Sequence, residues 1–407
     1  MAQGVGSRTT SQIITTENTL VRVVDEDLVL LEPNETPLVT FVMNVARSKK
    51  GRPSPKVEWL EDDYVARWAV KSVDTVNANA SSTSIGVTDG TLFVAGDLFQ
   101  APPAASSSAV GEIFRVVSVA GDTLTVIRAV SGTSLVTLNP SVSLRLLGSA
   151  AEENATPPSA KFTNVATKST YMQIFTTAVD LSKTNVAAKV YGAPEGDRNR
   201  LQKKALREHK IKMNSQFLFG KTSQSLTGGP NSRPIRYADG INSMISTNIY
   251  DAGGVLTRKG FEAFSRMAFR YGSKKKLLLA APKIISAIHD WAGAHLQINT
   301  SESMFGVDIQ RVTTGHGQWL LARDWMLEDG VSGQNGFAGW AFSVDIEDNC
   351  EYIYLQGNGE SRDTKMMENV VLDGRDGYVD VALSECGMIF KHEKKHAKLF
   401  NVTDYVG

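Results

Sequence analysis

Residues 198–219 read RNRLQKKALREHKIKMNSQFLF, and the fold turns on how this stretch is read. At helical periodicity Ala205, Leu206, His209, Met213 and Phe217 share one face, so the stretch predicts a long amphipathic helix, with Asp197 or Asn199 as its cap. The remaining faces carry Arg198, Arg200, Lys203, Lys204, Arg207, Lys210 and Lys212 against the single acid Glu208. Two readings stand side by side. Either the helix is half buried with a solvated basic side, or that side meets phosphate or an acidic patch on a partner.

Downstream, residues 220–240 are rich in Gly, Ser and Pro and predict a long loop. Thr257 caps a helix through Tyr271, with Phe261, Phe264, Met267, Ala268 and Tyr271 on one stripe and Gly272 stopping it. Leu277 to Leu279 predict a short strand, and Pro282 opens a helix with Ile285, Ile288 and Trp291 inward. Trp340, Phe342, Val344 and Ile346 alternate as a half-buried strand. Residues 351–356 and 378–390 follow as strands, the latter on the alternation of Val379, Val381 and Leu383. Upstream, residues 171–181 predict a strand. Long connections separate these elements, so the class is α+β and not a regular doubly wound sheet.

The stretch before residue 170 has another character. From Ser72 to Gly148 only eight residues are charged: Asp74, Asp89, Asp97, Glu112, Arg115, Asp122, Arg128 and Arg145. Residues 112–119 and 123–130 flank Ala120-Gly121-Asp122 as a hairpin, with Leu92 to Val94 and Ser143 to Leu147 as further short strands. Polar linkers at 101–108 and 151–160 complete the picture of a small, nearly uncharged β-module set into a larger body. Ahead of it lies a basic run, Arg47, Lys49, Lys50, Arg52 and Lys56, in which Pro53 and Pro55 predict an exposed connection. The acids Glu58, Glu61, Asp62 and Asp63 follow around Trp59. This pairing reads as a solvated loop beside a strand, or as charged patches meeting another subunit or a polyanion. Residues 1–19 form a polar arm. The short apolar segments at 20–32 and 35–45, with Pro37 in a first helical turn, are marginal alone and predict packing against something else, such as a neighbouring subunit.

The chain has 407 residues, room for two to three domains at roughly 150 residues each. Its 42% apolar content argues against disorder, and 43 basic against 43 acidic residues argue against a general nucleic-acid binder. No apolar run approaches a membrane span, and Met1 to Thr10 lack the apolar core of a signal peptide. Cys350 and Cys386 cannot staple a chain of this length; they read as buried small apolar residues in a reducing compartment. A neutral chain tolerates self-association.

Catalytic patterns are scarce. His392-Glu393-Lys394-Lys395-His396 matches the zinc-protease spacing, in which two histidines one helical turn apart hold the metal and the glutamate activates water. Here the string follows a strand, is surrounded by lysines, and has only Asp404 as an acid after it. It reads as a basic surface terminus, a decoy in which His392, Glu393 and His396 hold nothing. No phosphate loop and no nucleophile elbow are present, and no cofactor, metal or catalytic residue is expected.

Glu35-Thr36-Pro37-Leu38, residues 57–63 (VEWLEDD), residues 171–181 (YMQIFTTAVDL), the helix at 198–219, the pair 257–271 and 282–292, and the closing stretch 377–402 occur in an order that resembles the major capsid proteins of tailed bacteriophages. That is the Hong Kong 97-like fold, in the branch with a β-rich insertion domain in the extended loop. The resemblance implies an N-terminal arm at 1–45, a peripheral domain edge and extended loop at 46–85 and 150–170, and an inserted β-rich domain at 86–149. It further implies a peripheral domain with a long spine helix at 171–234, an axial domain at 235–350, and a return to the peripheral domain at 351–407. The implied function is structural: self-assembly, through pentamers and hexamers, into an icosahedral or prolate shell around double-stranded DNA. The implied partners are other copies of the chain, a portal, a scaffolding protein, a decoration protein, and packaged DNA contacted non-specifically, with no membrane. The place is the virion, after assembly in the host cytoplasm. Arg47, Lys49, Lys50, Arg52, Lys56, Arg198, Arg200, Lys203, Lys204, Arg207 and Lys210 become candidate inter-subunit or DNA-facing residues. Pro37, Leu38, Trp59 and Trp68 become candidate arm and loop contacts. A tail or other virion structural protein, an encapsulin-like compartment and the zinc protease are the alternatives.

Overall fold

The computed structural model describes residues 38–39, 49–72, 82–103, 110–154, 156, 159–188, 196–295, 298–304, 307–328, 336–347, 349–370 and 376–406. Pro37 and Arg47, and with them nearly all of the arm, lie outside the described residues. The chain divides into two compact units, one of Met1–Trp59 with Lys168–Gly407 and one of Leu60–Thr167.

The first unit holds two large sheets and a small hairpin, Ser223–Ser225 with Ile235–Tyr237, which stands within the stretch 220–240 expected as a loop. In the seven-stranded sheet the order is Ile249–Leu256, Ala397–Tyr405, Ala341–Val344, Lys275–Ala280, Gln318–Arg323, Val307–Thr313 and Ile298–Met304. Lys275–Ala280 runs parallel to Gln318–Arg323 and antiparallel to Ala341–Val344. Its Leu277-Leu278-Leu279 run is buried throughout, as a strand covered on both faces must be. Ala341–Val344 is likewise buried at every position, which corrects the half-buried strand expected from alternation there. Helices Arg258–Ala268 and Pro282–His295 accompany this sheet, and Thr257 caps the first by accepting a hydrogen bond from the Gly260 amide at 3.1 Å. That helix ends at Ala268, one turn before the expected Tyr271. Trp319 lies at the centre, fully buried and stacked on Phe264 with centroids 5.7 Å apart.

The other sheet has the order Lys49–Arg52, Cys350–Gly357, Gly377–Phe390 and Gln173–Ser182. The long helix, Asp197–Phe219, packs on its last two strands. Ala205, His209, Met213 and Phe217 are buried there as the sequence predicts, joined by Asn214 and Leu218. Gly377–Phe390 differs from expectation: Asp380, Ala382 and Ser384 are buried, while Val379, Val381 and Leu383 are half-buried. The strand turns its polar set inward because the helix offers polar partners there. Cys350 and Cys386 are both buried and in no disulfide. They sit on neighbouring strands, with Cys350 opposite Phe390 and Cys386 opposite Tyr354, so the register holds them apart.

The second unit is one antiparallel sheet, ordered Trp68–Val70, Ser143–Ser149, Asp97–Gln100, Ile113–Ala120, Thr123–Ile127 and Ser84–Gly86. Its hairpin closes through Gly121 (φ +59°) and Asp122, a backbone that glycine adopts without strain. Leu92 to Val94 is not a strand; a short 3-10 turn, Gly90–Leu92, stands there. Phe99 and Phe114 stack at 4.8 Å in the core, beneath Ile85, Leu124 and Leu144. Glu112, fully buried, accepts from Arg128 Nε at 2.9 Å and Nη2 at 2.6 Å, and from the Val136 and Ala129 amides. One buried ion pair thus anchors the loop after the hairpin. Burial pushes the Glu112 carboxyl up, but the Arg128 hydrogen bonds and the amides outweigh it and leave it below the usual range.

Candidate assembly surfaces

The basic run beside Pro53 and Pro55 begins as an edge strand. Lys49–Arg52 pairs in parallel with Cys350–Gly357, Lys49 opposite Tyr352 and Arg52 opposite Leu355. The exposed connection expected there starts only after Arg52. Lys50 and Lys391 approach Glu351 Oε1 at 2.8 and 2.6 Å, and Arg52 approaches Oε2 at 3.3 Å. Burial raises the Glu351 carboxyl, but hydrogen bonds and charge from Lys391 and Lys50 bring it below its ordinary value. Lys49 pairs with Asp363 at 2.5 Å, and Lys56 pairs with Glu58. Three cations against one carboxylate leave the Glu351 edge positive.

Along the long helix the cations divide. Arg198 grips Asp380 with Nε at 2.7 Å and Nη2 at 2.6 Å, its guanidinium over the Tyr378 ring, and Gln202 adds a bond at 2.8 Å. Those Arg198 hydrogen bonds hold the Asp380 carboxyl down at about 2. Arg200 folds onto Asp197 at 2.6 Å. Lys203, Lys204, Arg207 and Lys210 form an exposed stripe, with Lys204 3.9 Å from Glu208. On the inner face His209 bridges Thr177 Oγ1 (3.2 Å) and Ser384 Oγ (2.7 Å), and burial, helped by Lys212, lowers its pKa. Asn214 donates to Asp324 at 3.0 Å, and burial pushes that carboxyl up to about 6.

At the HExxH string no α-helix forms. His392 has φ 53°, Glu393–Lys395 make a 3-10 turn, and strands flank them on both sides. The two imidazoles therefore do not share a helical face, as the zinc reading requires. Glu393 instead accepts from the Ser246 amide at 2.9 Å and the Thr247 hydroxyl at 2.6 Å. His396 is fully buried; its Nδ1 accepts from the Asp345 amide at 3.3 Å, and burial drops its pKa to about 4. Beside it the buried Lys276 ammonium donates to the carbonyls of Ala268, Tyr271 and Lys395 at 2.6, 2.7 and 2.5 Å. Burial lowers that lysine to about 8. Among the described residues no His, Cys, Asp and Glu cluster is arranged to hold a metal. None of the described helices is long and apolar enough to cross a membrane.

In the Leu60–Thr167 unit the outward strand positions form two rows. Trp68, Arg145, Gln100 and Ile113 pair across four strands, with the Arg145 guanidinium 5.6 Å from the Trp68 ring. Leu98, Arg115 and Ile127 make the next row. Among the described residues these rows contain arginine, apolar side chains and the amide of Gln100, and no acid. Elsewhere in the unit Leu60 is 70% exposed, Tyr64 wholly exposed and Phe162 81% exposed. Asp62 between them accepts from Thr163 at 2.7 Å.

Of the predicted contacts, Leu38 is fully buried in the chain's own core, not offered to a neighbour, because the first unit closes over it. Trp59 is half-buried against Val57, Met172, Ile353 and Ile389, and Trp68 is exposed. Sequence reasoning missed Asp380, Ser384 and Asp324, the acceptors under the helix. Their signal was present in Arg198, Gln202, His209 and Asn214, polar residues in line with the buried stripe.

A family model described as SU10 major capsid protein matches residues 7–403. No curated protein matches the chain. Among solved structures the chain is similar to the capsid of the native GTA particle, at 7% identity and TM-score 0.47 over 95% of this chain and 97% of that one. It is similar to a Mycobacterium phage Bobi chain at 8% identity and TM-score 0.45 over 99% and 100%. It is similar to the SrpI encapsulin of Synechococcus elongatus PCC 7942 at 12% identity and TM-score 0.41 over 60% and 80%. Assignment rests on the family match, which spans nearly the whole length: the chain belongs to the SU10 major capsid protein family.

Proposed function

We propose that the chain is the shell-forming subunit of a tailed bacteriophage head, assembling through pentamers and hexamers into an icosahedral or prolate capsid around double-stranded DNA. The observation that carries this is the family match over residues 7–403. The domain layout implied by the resemblance belongs to the proposal, from an arm at 1–45 to a peripheral return at 351–407. So do a structural rather than catalytic role, the portal, scaffolding and decoration partners, and assembly in the host cytoplasm.

Physical features favour this reading. Leu60, Tyr64 and Phe162 stand exposed, and covering each against a neighbour is worth about 1.5–3 kcal/mol before ordering costs. Identical contacts repeated under closed symmetry turn such small increments into a stable shell. Net charge of zero removes the long-range repulsion between copies. The exposed stripe of Lys203, Lys204, Arg207 and Lys210 suits a phosphate backbone contacted without sequence preference.

Electron microscopy of the purified, concentrated protein tests the proposal. Closed angular shells, or free pentamers and hexamers, are expected. Uniform tubes would favour a tail protein, and a monomer with one bound zinc that cuts peptides would overturn the reading.

A further inference from the structure

We propose that the outward sheet face of the Leu60–Thr167 unit is a docking surface for a second copy of this chain, and that it receives that copy's acidic segment Leu60-Glu61-Asp62-Asp63-Tyr64. The inference rests on the shell reading and adds to it which surface of the neighbour takes the segment.

The two surfaces are complementary, and both belong to one unit. On the sheet, Arg145 and Arg115 stand two strands and one row apart, about 12 Å, with Trp68 and Ile127 as apolar flanks. No acid occupies an outward strand position there among the described residues. The nearest acids by strand are accounted for elsewhere: Asp97 is held by Lys161 at 2.5 Å, and Glu112 is spent in the core on Arg128. The segment has the opposite character, three acids in a row between two exposed apolar side chains. Leu60, Asp62, Asp63 and Tyr64 are all exposed at and just past the end of the strand Lys56–Glu61, so acidic and apolar side chains are presented together to an apolar and arginine-bearing face.

A second copy is favoured over an unrelated acidic protein because stoichiometry then follows without a further partner. Each copy offers one face and one segment, which is a heterologous contact able to propagate around a ring. The segment does not satisfy its own face. In the single chain Leu60 is 70% exposed and Tyr64 entirely so.

Charge reversal in the full chain tests this. One variant carries Arg115→Glu with Arg145→Glu, the other Asp62→Lys with Asp63→Lys, and each is first checked for a native melting profile. Each variant alone presents like charges across the contact, and its assembled fraction by sedimentation should fall about tenfold or more relative to the native chain. In an equal mixture, alternation of the two variants pairs every reversed surface with an opposite charge around a six-membered ring, so hexamers should recover with both variants in each. A five-membered ring keeps one like-charge contact. Native-like assembly of either variant alone would overturn the proposal, as would a mixture that fails to recover. Shells that form normally but lose an acidic companion protein would also overturn it, and would assign the face to that protein. A native chain that forms no rings or shells would instead count against the shell reading itself. Engineered cysteines give a second readout, since Cys350 and Cys386 are fully buried. Tyr64→Cys with Ile127→Cys should yield disulfide-linked multimers in the particle, and intrachain products alone would argue against the contact.

Discussion

Arg198 and Asp380 lie 182 residues apart in the chain and meet in a two-bond pair of 2.7 and 2.6 Å that joins the start of the long helix to the inward face of Gly377–Phe390. Asp380 is 1% exposed and also accepts from Gln202 and the Asn369 amide, so its charge is fully engaged. A buried carboxylate with four donors is useful to the fold only while it is ionised.

Asp380→Asn should therefore destabilise the first unit by about 2 kcal/mol, less than for a wholly buried pair because Arg198 keeps access to water. The pH dependence has a definite sign. The Arg198 hydrogen bonds hold Asp380 at about 2, below its unfolded value, so its contribution is present above about pH 4 and disappears as pH falls toward 2. Thermal melts of the native chain and the variant should differ at pH 6 and converge at the acid end. Equal differences at both ends would contradict the assignment.

Asp324 should behave in the opposite sense. Burial raises it to about 6, so the folded state holds its proton more tightly than the unfolded chain does. Its contribution is full below about pH 4 and is lost as pH rises through 6, about 2–3 kcal/mol in all. Asp324→Asn keeps an acceptor for the Met326 amide, now 3.0 Å from Oδ1. It also offers a donor to Asn214 Oδ1, which has no hydrogen-bond partner in the native arrangement. The variant is expected to melt higher than the native chain at pH 7–8 and to match it near pH 4. A lower melting point at pH 8 would show the carboxylate to be stabilising after all.

The sequence made the long helix legible because its apolar stripe and its length are local properties, and the Thr257 cap and the hairpin at Gly121 were equally local. The polar seam was not legible. Alternation in Gly377–Phe390 marks Val379, Val381 and Leu383 as the buried set, yet the helix supplies Arg198 and His209 opposite the other face, and only the tertiary pairing reverses the choice. The basic run misled for a related reason. Lys49, Lys50 and Arg52 look like a free patch until Glu351 and Asp363, some three hundred residues later, come up beside them. HEKKH reads as a helix only while the strands on both sides are ignored.

His396 gives an acid-side prediction. Burial holds its pKa at about 4, well below the unfolded value, so the neutral ring contributes stability above about pH 6.5 that is lost as pH falls through 4. His396→Asn keeps a side-chain acceptor near the Asp345 amide and removes the titration. It should cost about 1–2 kcal/mol at pH 7 from lost packing and flatten the native decline between pH 6.5 and 4. An unchanged slope in the variant would place the acid sensitivity in another group.

Glu112 tests whether the Leu60–Thr167 unit depends on its buried ion pair. Glu112→Gln cannot neutralise Arg128, which is only 6% exposed at its side chain, and an unpaired buried guanidinium costs about 3–5 kcal/mol. A unit of this size has a margin of only about 5–10 kcal/mol, so the variant should open locally and often. Limited proteolysis should then cut within residues 60–167 at least tenfold faster than in the native chain, at unchanged rates elsewhere. The double variant Glu112→Leu with Arg128→Met removes both charges and should recover most of the resistance. That recovery separates the penalty of a stranded charge from a loss of packing. Were the double variant as sensitive as Glu112→Gln, the hydrogen bonds to Ala129 and Val136, and not the charge of Arg128, would be what holds the loop.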